Sequence, residues 1–120
     1  MNQESNPKPT PQLATRLRIY IGEADHHGGQ PLYAAIVQLA RKRGIAGATV
    51  LRGIQGYGAR SIVHAASIVD MSADLPLLVE LVDESSRIAD FITAVSEMVD
   101  DGMMTTENVS IVYQSHGKKH

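Results

Sequence analysis

Apolar residues lie at alternate positions in two stretches of the chain, one near each end. In residues 17–21 leucine and isoleucine alternate with arginine and tyrosine, and Val109, Ile111 and Tyr113 repeat the alternation. A period of two residues is typical of a β-strand with one buried face. The pattern therefore predicts a first strand around residue 19 and a final strand around residue 111.

A first stretch with helical spacing of apolar residues covers residues 32–40. Pro31 suits the first turn of a helix, where its missing N–H would be unpaired anyway, and Gly44 supplies a C-terminal stop. Residues 41–43 read Arg-Lys-Arg, and cations are favoured at the negative end of the helix dipole. This triplet is interpreted as a solvated helix end, with a docking patch as the alternative.

A second helix is predicted over residues 88–99, with capping side chains in residues 83–86 and an end near Gly102. Residues 48–55 and the apolar run 77–82 predict two further strands. The resulting order is β-α-β-β-α-β. The sequence thus predicts an α+β protein with the ferredoxin-like fold, an antiparallel sheet with two helices on one face.

With 120 residues the chain is most simply one domain, and much of its surface is left for subunit contacts, so we expect an oligomer. Residues 1–14 form a polar, proline-rich leader, residues 15–115 the domain and residues 116–120 a loose tail. The segment 60–75 is too long for a tight hairpin and too apolar for a solvated loop. It is either a protruding arm that packs against another subunit or a partner, or an extension of two strands.

Composition excludes several classes of function. The 11 Lys and Arg residues against 13 Asp and Glu give a net charge of -2, without the basic face that nucleic-acid binding requires. The chain has no cysteine, so thiol chemistry and thiolate metal sites are excluded. No apolar segment approaches the roughly 20 residues that span a bilayer, and the start lacks the apolar core of a signal peptide. We therefore expect a cytoplasmic protein without direct membrane insertion.

The strongest candidate for chemistry is the stretch of residues 49–60. A β-branched strand there runs into Gly53, Gly56 and Gly58 and then into Arg60. Glycines at a strand end let backbone N–H groups approach an anion, with a cation close by. The alternative is that these glycines form a bulge or tight turn without any ligand.

In the predicted topology three connections meet at one end of the sheet. The first carries the acidic and histidine residues 23–27, the second the glycines of residues 56–60, and the third residues 101–103. Convergent glycines, a cation and carboxylates suit a small anionic ligand. Arg52 is a further candidate cation, unless it pairs with Glu80 on the neighbouring strand.

The loop after the first strand has several interpretations. Glu23 and Asp25 face the same way in an extended segment, as an acid–base pair would, but they also suit fixing the loop or capping the first helix. His26 and His27 beside Asp25 resemble metal ligands, yet adjacent residues rarely face one ion, so a plain loop is favoured. His64 is interpreted as a surface or packing residue rather than a pH-sensitive or phosphate-binding group.

A set of motifs occurs in order along the chain. They are Gly22-Glu23-Ala24-Asp25, Gly29-Gln30-Pro31-Leu32-Tyr33, the run 47–53 continuing through Gly56-Tyr57-Gly58, His64, and Asp74-Leu75-Pro76 leading to Glu80. Together they resemble the DUF190 family of PII-like proteins, relatives of the trimeric PII signal transducers, over essentially residues 17–113. The resemblance implies a ferredoxin-like subunit in a trimer, adenine-nucleotide binding in clefts between subunits and a mobile arm that signals ligand state to a partner.

The same resemblance implies where the nucleotide binds. Gly56-Tyr57-Gly58 resembles the glycine-aromatic-glycine at the base of the PII arm, and Asp101-Gly102 resembles part of the PII phosphate loop. The PII pattern continues with glycine and lysine, whereas this chain has Met103 and Met104, residues typical of core packing, and no arginine in its last strand. Each missing charge-assisted phosphate contact removes roughly 1.5–3 kcal/mol, so AMP or ADP is favoured over ATP. The candidate nucleotide-binding residues are Arg52, Gly53, Gly56, Tyr57, Gly58, Arg60, Asp101, Gly102 and Met103, with no metal.

The sequence therefore predicts a homotrimeric PII-like regulator rather than an enzyme. Transporters, channels and metabolic enzymes are the partners that the resemblance implies. Two other functions stay open: a small ferredoxin-like enzyme acting on a phosphorylated substrate, and a purely structural trimeric module.

Overall fold

The computed structural model describes residues 11–58 and 74–115. Its elements in chain order are β1 (Gln12–Gly22), β2 (His26–His27), β3 (Gln30–Pro31), α1 (Leu32–Lys42), β4 (Ala48–Arg52), β5 (Pro76–Asp83), α2 (Ser85–Val95) and β6 (Met103–Ile111). The predicted β-α-β-β-α-β order is confirmed. The short strands β2 and β3 form an additional two-stranded ribbon that the sequence pattern did not predict.

Parts of three sequence predictions lie outside the described residues. The predicted tail over residues 116–120 and nearly all of the predicted arm over residues 60–75 are among them. Of the predicted leader over residues 1–14, only residues 11–14 are described, and β1 begins within them at Gln12.

The four long strands form one antiparallel sheet in the order β4-β5-β1-β6. The strand β1 pairs with β5 on one side and with β6 on the other, so that Leu17 lies opposite Leu81 and Thr106. Placing the first strand beside both the third and the last long strand is the ferredoxin-like arrangement that the sequence predicted.

The hydrophobic core lies between this sheet and the two helices. Leu17 and Ile19 of β1 are completely buried, as are Ile36 of α1 and, almost completely, Phe91 of α2. All of them belong to one cluster, so both helices cover the same face of the sheet, as predicted. Burial of each large apolar side chain contributes about 1.5–3 kcal/mol to folding.

The helix α1 begins and ends close to the predicted residues. Pro31 occupies the N-cap position rather than the first turn, and the Leu32 amide donates a hydrogen bond to the backbone carbonyl of Asp25 at 2.8 Å. At the other end Gly44 has a φ of +78°, in the left-handed region that costs residues with a Cβ roughly 1–2 kcal/mol. The predicted glycine stop is therefore confirmed.

The helix α2 is shorter than predicted, ending at Val95 and not near Gly102. The hydroxyl of Ser96 donates to the carbonyl of Ile92 at 2.6 Å, and the Met98 amide turns back to the carbonyl of Val95 at 2.9 Å. Both bonds use carbonyl groups at the end of the helix and favour a tight final turn over another helical turn.

Two strand boundaries also differ from the prediction. The strand β6 starts at Met103, well before the predicted strand around residue 111, and β4 ends at Arg52 rather than at Gln55. Most side chains of β6 are exposed because it lies at the edge of the sheet. Its first half therefore has no alternation of apolar residues from which a strand could be predicted.

The sheet face turned away from the helices is here called the open face. Across it, cross-strand pairing aligns Leu51, Leu78, Tyr20 and Met103, one residue from each long strand. We call these four residues the apolar row. Leu51 is 51% exposed, Tyr20 37% and Met103 56%, so the row is only partly covered in the single chain.

Beside the apolar row, the open face carries four charges, here called the charged row: Arg16, Arg18, Glu80 and Glu107. Arg18 Nε lies 3.0 Å from Glu80 Oε2, and Arg16 Nη2 lies 2.8 Å from Glu107 Oε1. The hydrogen bond from Arg16 lowers the pKa of Glu107 below its ordinary value, and the hydrogen bond to Glu80 raises the pKa of Arg18. Two cations and two anions thus balance each other across three strands.

Candidate functional site

Three strand ends and their connections meet at one end of the sheet. The register places Gly22, the last residue of β1, opposite Pro76, the first residue of β5. Arg52 at the end of β4 lies opposite Leu77, and Met103 at the start of β6 lies opposite Tyr20. The convergence predicted for the connections after β1, after β4 and before β6 is therefore confirmed.

A cleft of about 370 Å³ opens at this end of the sheet. It brings together six of the nine predicted site residues, which come from the second and third connections: Gly56, Tyr57, Gly58, Asp101, Gly102 and Met103. The remaining wall consists of residues outside the nine predicted nucleotide-binding residues: Tyr20, Ile21, Gly22, Asp25, Asp74, Pro76 and Leu77. The position of Tyr20 at the end of the first strand, on the side opposite the core residues, was the available signal for this wall.

Two other predicted site residues, Arg52 and Gly53, are not part of the lining of this cleft. The guanidinium of Arg52 forms an ion pair and hydrogen bond with the carboxylate of Glu23. Its suggested pairing with Glu80 is wrong, because Glu80 lies opposite Thr49 and bonds to Arg18 instead. Arg60 lies outside the described residues.

Gly53 and Gly56 lie against the ring of Pro76. A Cβ at Gly53 would lie 2.8 Å from Pro76 Cγ, and one at Gly56 would lie 3.1 Å from the same atom. The amide of Gly53 donates to the carbonyl of Pro76 at 2.8 Å, so this N–H already has a partner. The first two glycines thus allow a close approach of the chain to β5, while the space around Gly58 is open.

The carboxylates of Asp25 and Asp74 both lie close to Gly22. Asp25 Oδ2 accepts a hydrogen bond from the Gly22 amide at 3.0 Å, and Asp74 Oδ1 accepts one from the Ala24 amide at 3.0 Å. A Cβ at Gly22 would lie 2.7 Å from Asp74 Oδ1. The side chain of Asp25 therefore fixes the loop after β1, and its backbone carbonyl, not its carboxylate, caps α1.

The two carboxylates considered as an acid–base pair are both used in local contacts. Glu23 pairs with Arg52, and Asp25 bonds to the backbone of Gly22. These contacts fit the loop-fixing interpretation of the two residues rather than proton transfer, which requires a group directed at a reacting atom.

The two histidines that follow Asp25 lie in the ribbon strand β2. His26 Nδ1 lies 2.7 Å from the carbonyl oxygen of Ala24, so the ring of His26 has a partner in its own loop. Within residues 11–58 and 74–115, no group of three or more histidine, cysteine or acidic side chains has an arrangement suited to a metal ion. His64 lies outside these ranges.

The electrostatic character of the cleft is acidic. Its described lining contains the carboxylates of Asp25, Asp74 and Asp101 and contains no lysine, arginine or histidine. Its other walls are largely apolar or aromatic, with Tyr20, Tyr57 and Met103 among them. Met103 is half exposed at the cleft, whereas Met104 packs against the core, so the predicted core role fits the second methionine alone.

No helix among the described residues has the length and apolar character needed to cross a membrane.

A family model and two relatives match most of this chain. The model of DUF190, described as "Uncharacterized ACR, COG1993", matches residues 14–111. A UPF0166 protein of Aquifex aeolicus (strain VF5) is 33% identical over 97 residues, covering 81% of this chain and 91% of that protein. A UPF0166 protein of Methanocaldococcus jannaschii is 39% identical over 72 residues, covering 60% of this chain and 66% of that protein.

Solved structures with the same fold are PII-like proteins. One, from Thermus thermophilus, has a TM-score of 0.60 at 17% identity, covering 85% of this chain and 92% of that chain. CPII from Thiomonas intermedia K12, bound to ADP and bicarbonate, has a TM-score of 0.57 at 13% identity. The match covers 87% of this chain and 93% of the CPII chain. A further CPII structure, bound to ADP, AMP and bicarbonate, has a TM-score of 0.58 at 9% identity. The match covers 86% of this chain and 99% of that chain. The fold of this chain is thus PII-like.

Proposed function

The chain belongs to the DUF190 family, and on that premise we propose that it is a PII-like regulatory protein that binds an adenine nucleotide. It forms a homotrimer, holds the nucleotide in clefts between subunits and signals to a partner protein through the arm at residues 60–75. The partner is a transporter, a channel or a metabolic enzyme, and the protein acts in the cytoplasm without catalysing a reaction.

One observation carries this proposal. The cleft at the strand ends is lined by Gly56-Tyr57-Gly58 and by Asp101-Gly102, the two motifs that resemble the PII nucleotide site. CPII, which shares the fold, is bound to ADP in one structure and to ADP and AMP in another. An exposed tyrosine between two glycines offers a flat surface on which an adenine ring can stack.

The acidic lining supports AMP or ADP over ATP. A triphosphate carries more negative charge than a monophosphate, and three carboxylates line the described part of the cleft. Arg52 is already engaged by Glu23, which leaves Arg60 as the candidate cation from the glycine-rich stretch. Loss of one charge-assisted contact of about 1.5–3 kcal/mol corresponds to about a tenfold to hundredfold weaker affinity.

The open face supports assembly. It presents the half-exposed apolar row next to a charged row whose charges cancel, a combination suited to packing against further copies of the chain. That the assembly contains three copies of the chain is inferred from the resemblance to PII proteins.

The test is isothermal titration of the full chain with AMP, ADP and ATP. We expect saturable binding, with AMP or ADP tighter than ATP. Tyr57→Ala should weaken AMP binding about tenfold, because stacking on an aromatic side chain contributes roughly 1–3 kcal/mol per base. Ile54→Ala is the matched control, since Ile54 belongs to the same connection, is 94% exposed and does not line the cleft.

Two further outcomes decide the details. If Arg60 contacts the phosphates, Arg60→Ala should weaken the binding of ADP more than the binding of adenosine. If the variant binds ADP with the same affinity as the parent chain, Arg60 does not belong to the site. The absence of binding of all three nucleotides at millimolar concentration would contradict the proposed function and favour a structural role.

A further inference from the structure

Two consecutive residues in the loop after β1, Glu23 and Ala24, contact both ends of the long connection between β4 and β5. The carboxylate of Glu23 pairs with the guanidinium of Arg52, the last residue of β4. The Glu23 amide donates to the carbonyl of Leu75 at 2.8 Å, and the Ala24 amide donates to Asp74 Oδ1 at 3.0 Å. The loop after β1 therefore joins the segment that leaves β4 to the segment that enters β5.

The same two segments carry one wall of the cleft. Tyr57 and Gly58 line the cleft from the segment that leaves β4, and Asp74 and Pro76 line it from the segment that enters β5. The two segments also lie close together, because a Cβ at Gly56 would lie 3.1 Å from Pro76 Cγ. Their relative position therefore determines where the ring of Tyr57 lies against the rest of the lining.

The Glu23–Arg52 pair joins the loop to the segment after β4 through side chains alone, so a substitution can remove it. Neither residue lines the cleft. The side chain of Arg52 is 62% exposed and that of Glu23 27%, and an ion pair so accessible to water adds little to the stability of a fold. Residues 53–58 lie beyond the end of β4, where few contacts fix the backbone by strand pairing. The effect of the pair is therefore expected in the cleft and not in unfolding.

We propose that Glu23, acting through Arg52, is a positioning residue for the cleft. The pair holds the segment after β4 so that the ring of Tyr57 is presented to the base of the ligand. When the pair is broken, the ring samples more positions, and part of the binding free energy is spent on ordering it again. As a determinant of nucleotide affinity this inference rests on the proposed function, and it adds two residues outside the lining to that site.

The other role open to Arg52 is direct contact with a phosphate group after release from Glu23. The two roles predict opposite effects of Glu23→Gln. If Arg52 were a phosphate ligand, this substitution would free the guanidinium and remove a nearby negative charge, so AMP would bind more tightly. If the pair positions the cleft, Glu23→Gln and Arg52→Gln weaken AMP binding alike, and the double variant binds no more weakly than either single variant.

The first experiment is isothermal titration of the full chain and these three variants with AMP and with adenosine. We expect each variant to bind AMP about fivefold more weakly, the largest effect that an exposed ion pair usually has. Adenosine should lose the same factor, because the wall that meets the base is what changes. The charge exchange, Glu23→Arg together with Arg52→Glu, should recover most of the loss. Arg87→Gln is the matched control, since it removes an exposed ion pair with Asp83 at the other end of the sheet.

A second measurement needs no ligand. The chain has no tryptophan, so Tyr57→Trp places a single fluorescent reporter in the cleft wall. Time-resolved anisotropy should show a larger amplitude of fast local motion when Glu23→Gln is added to this chain, and no change when Arg87→Gln is added instead. Urea unfolding of the same proteins should give nearly equal midpoints, which separates positioning from a general loss of stability.

The outcomes distinguish this inference from the proposed function. Tighter AMP binding by Glu23→Gln would assign Arg52 to the phosphate and overturn the positioning role. The parent affinity in Glu23→Gln, or reporter motion equal to that of the control, would also overturn it while leaving the proposed function intact. If no chain binds AMP but Glu23→Gln increases the reporter motion, the proposed function fails and the positioning of residue 57 is supported.

Discussion

Replacing Gly102 with alanine adds a methyl group where the structure has no space for one. A Cβ at this position would lie 2.7 Å from the carbonyl oxygen of Tyr20, 3.1 Å from Val99 Cγ1 and 3.3 Å from Ile21 Cγ2. The nearest of these atoms belongs to the backbone of β1, which is paired on both sides in the sheet. It cannot turn away as a flexible side chain would.

The expected loss of stability follows from these contacts. Overpacking against a well-ordered neighbour costs about 1–3 kcal/mol, and a backbone contact at this distance favours the upper part of that range. Alanine also reduces the entropy of the unfolded chain, which offsets about 0.4–1 kcal/mol. The net destabilisation of Gly102→Ala is therefore about 1–2 kcal/mol, or a fall in Tm of roughly 4–16 °C for a domain of this size.

The assay is thermal and urea unfolding of Gly102→Ala and Gly47→Ala beside the parent chain. Gly47 is the control, because a Cβ there meets nothing within 4 Å and its φ is not in the left-handed region. All three proteins are compared at one protein concentration, since assembly adds to apparent stability. If Gly102→Ala is as stable as Gly47→Ala, the close approach between the loop before β6 and β1 is not a constraint on the fold, and the reasoning is refuted.

Three other substitutions test the fold. Phe91→Ala empties the centre of the core, and urea unfolding should show a loss of about 3–5 kcal/mol; a loss below about 1 kcal/mol would contradict the described packing. Gly44→Ala forces a Cβ into a left-handed conformation and should cost about 1 kcal/mol in the same assay, unlike Gly47→Ala. Glu107 has a pKa lowered from 4.5 by its hydrogen bond to Arg16, so its stabilising effect is present above that pH and is lost as the pH falls through the lowered pKa. The stability difference between the parent and Glu107→Gln should therefore shrink on acidification from about pH 6 to about pH 3, and a difference independent of pH would show that the pairing does not stabilise the fold.

The sequence predicted the elements whose residues alternate between core and solvent. Residues 17–21 and the helical stretch 32–40 bury one side each, so a regular pattern of apolar residues was visible in both. The first half of strand β6 was not predicted because it lies at an exposed edge of the sheet, where most of its side chains are exposed and Met104 is its one apolar residue packed against the core. The order of elements followed from local patterns, while the boundaries at α2 and β6 depended on tertiary contacts.

The candidate site was predicted in part for a similar reason. The glycine-rich connection and residues 101–103 were recognisable from composition and resemblance, and they meet in one cleft. The partner of Arg52 was not predictable, because Glu23 reaches it only through the relative position of two loops. Asp74 also became part of the cleft only in the folded chain, where its carboxylate accepts a hydrogen bond from the Ala24 amide across two loops that are far apart in the sequence.

The charged row also has a consequence for how the sheet forms. Its four side chains come from β1, β5 and β6, which are far apart along the chain. A slip of one residue in β5 or β6 would turn Glu80 or Glu107 toward the helices, where a carboxylate without a partner is strongly disfavoured. Sheets with a shifted register are thus less stable than the native sheet, and the charged row helps to select the correct register of β5 and β6 against β1 as the sheet forms.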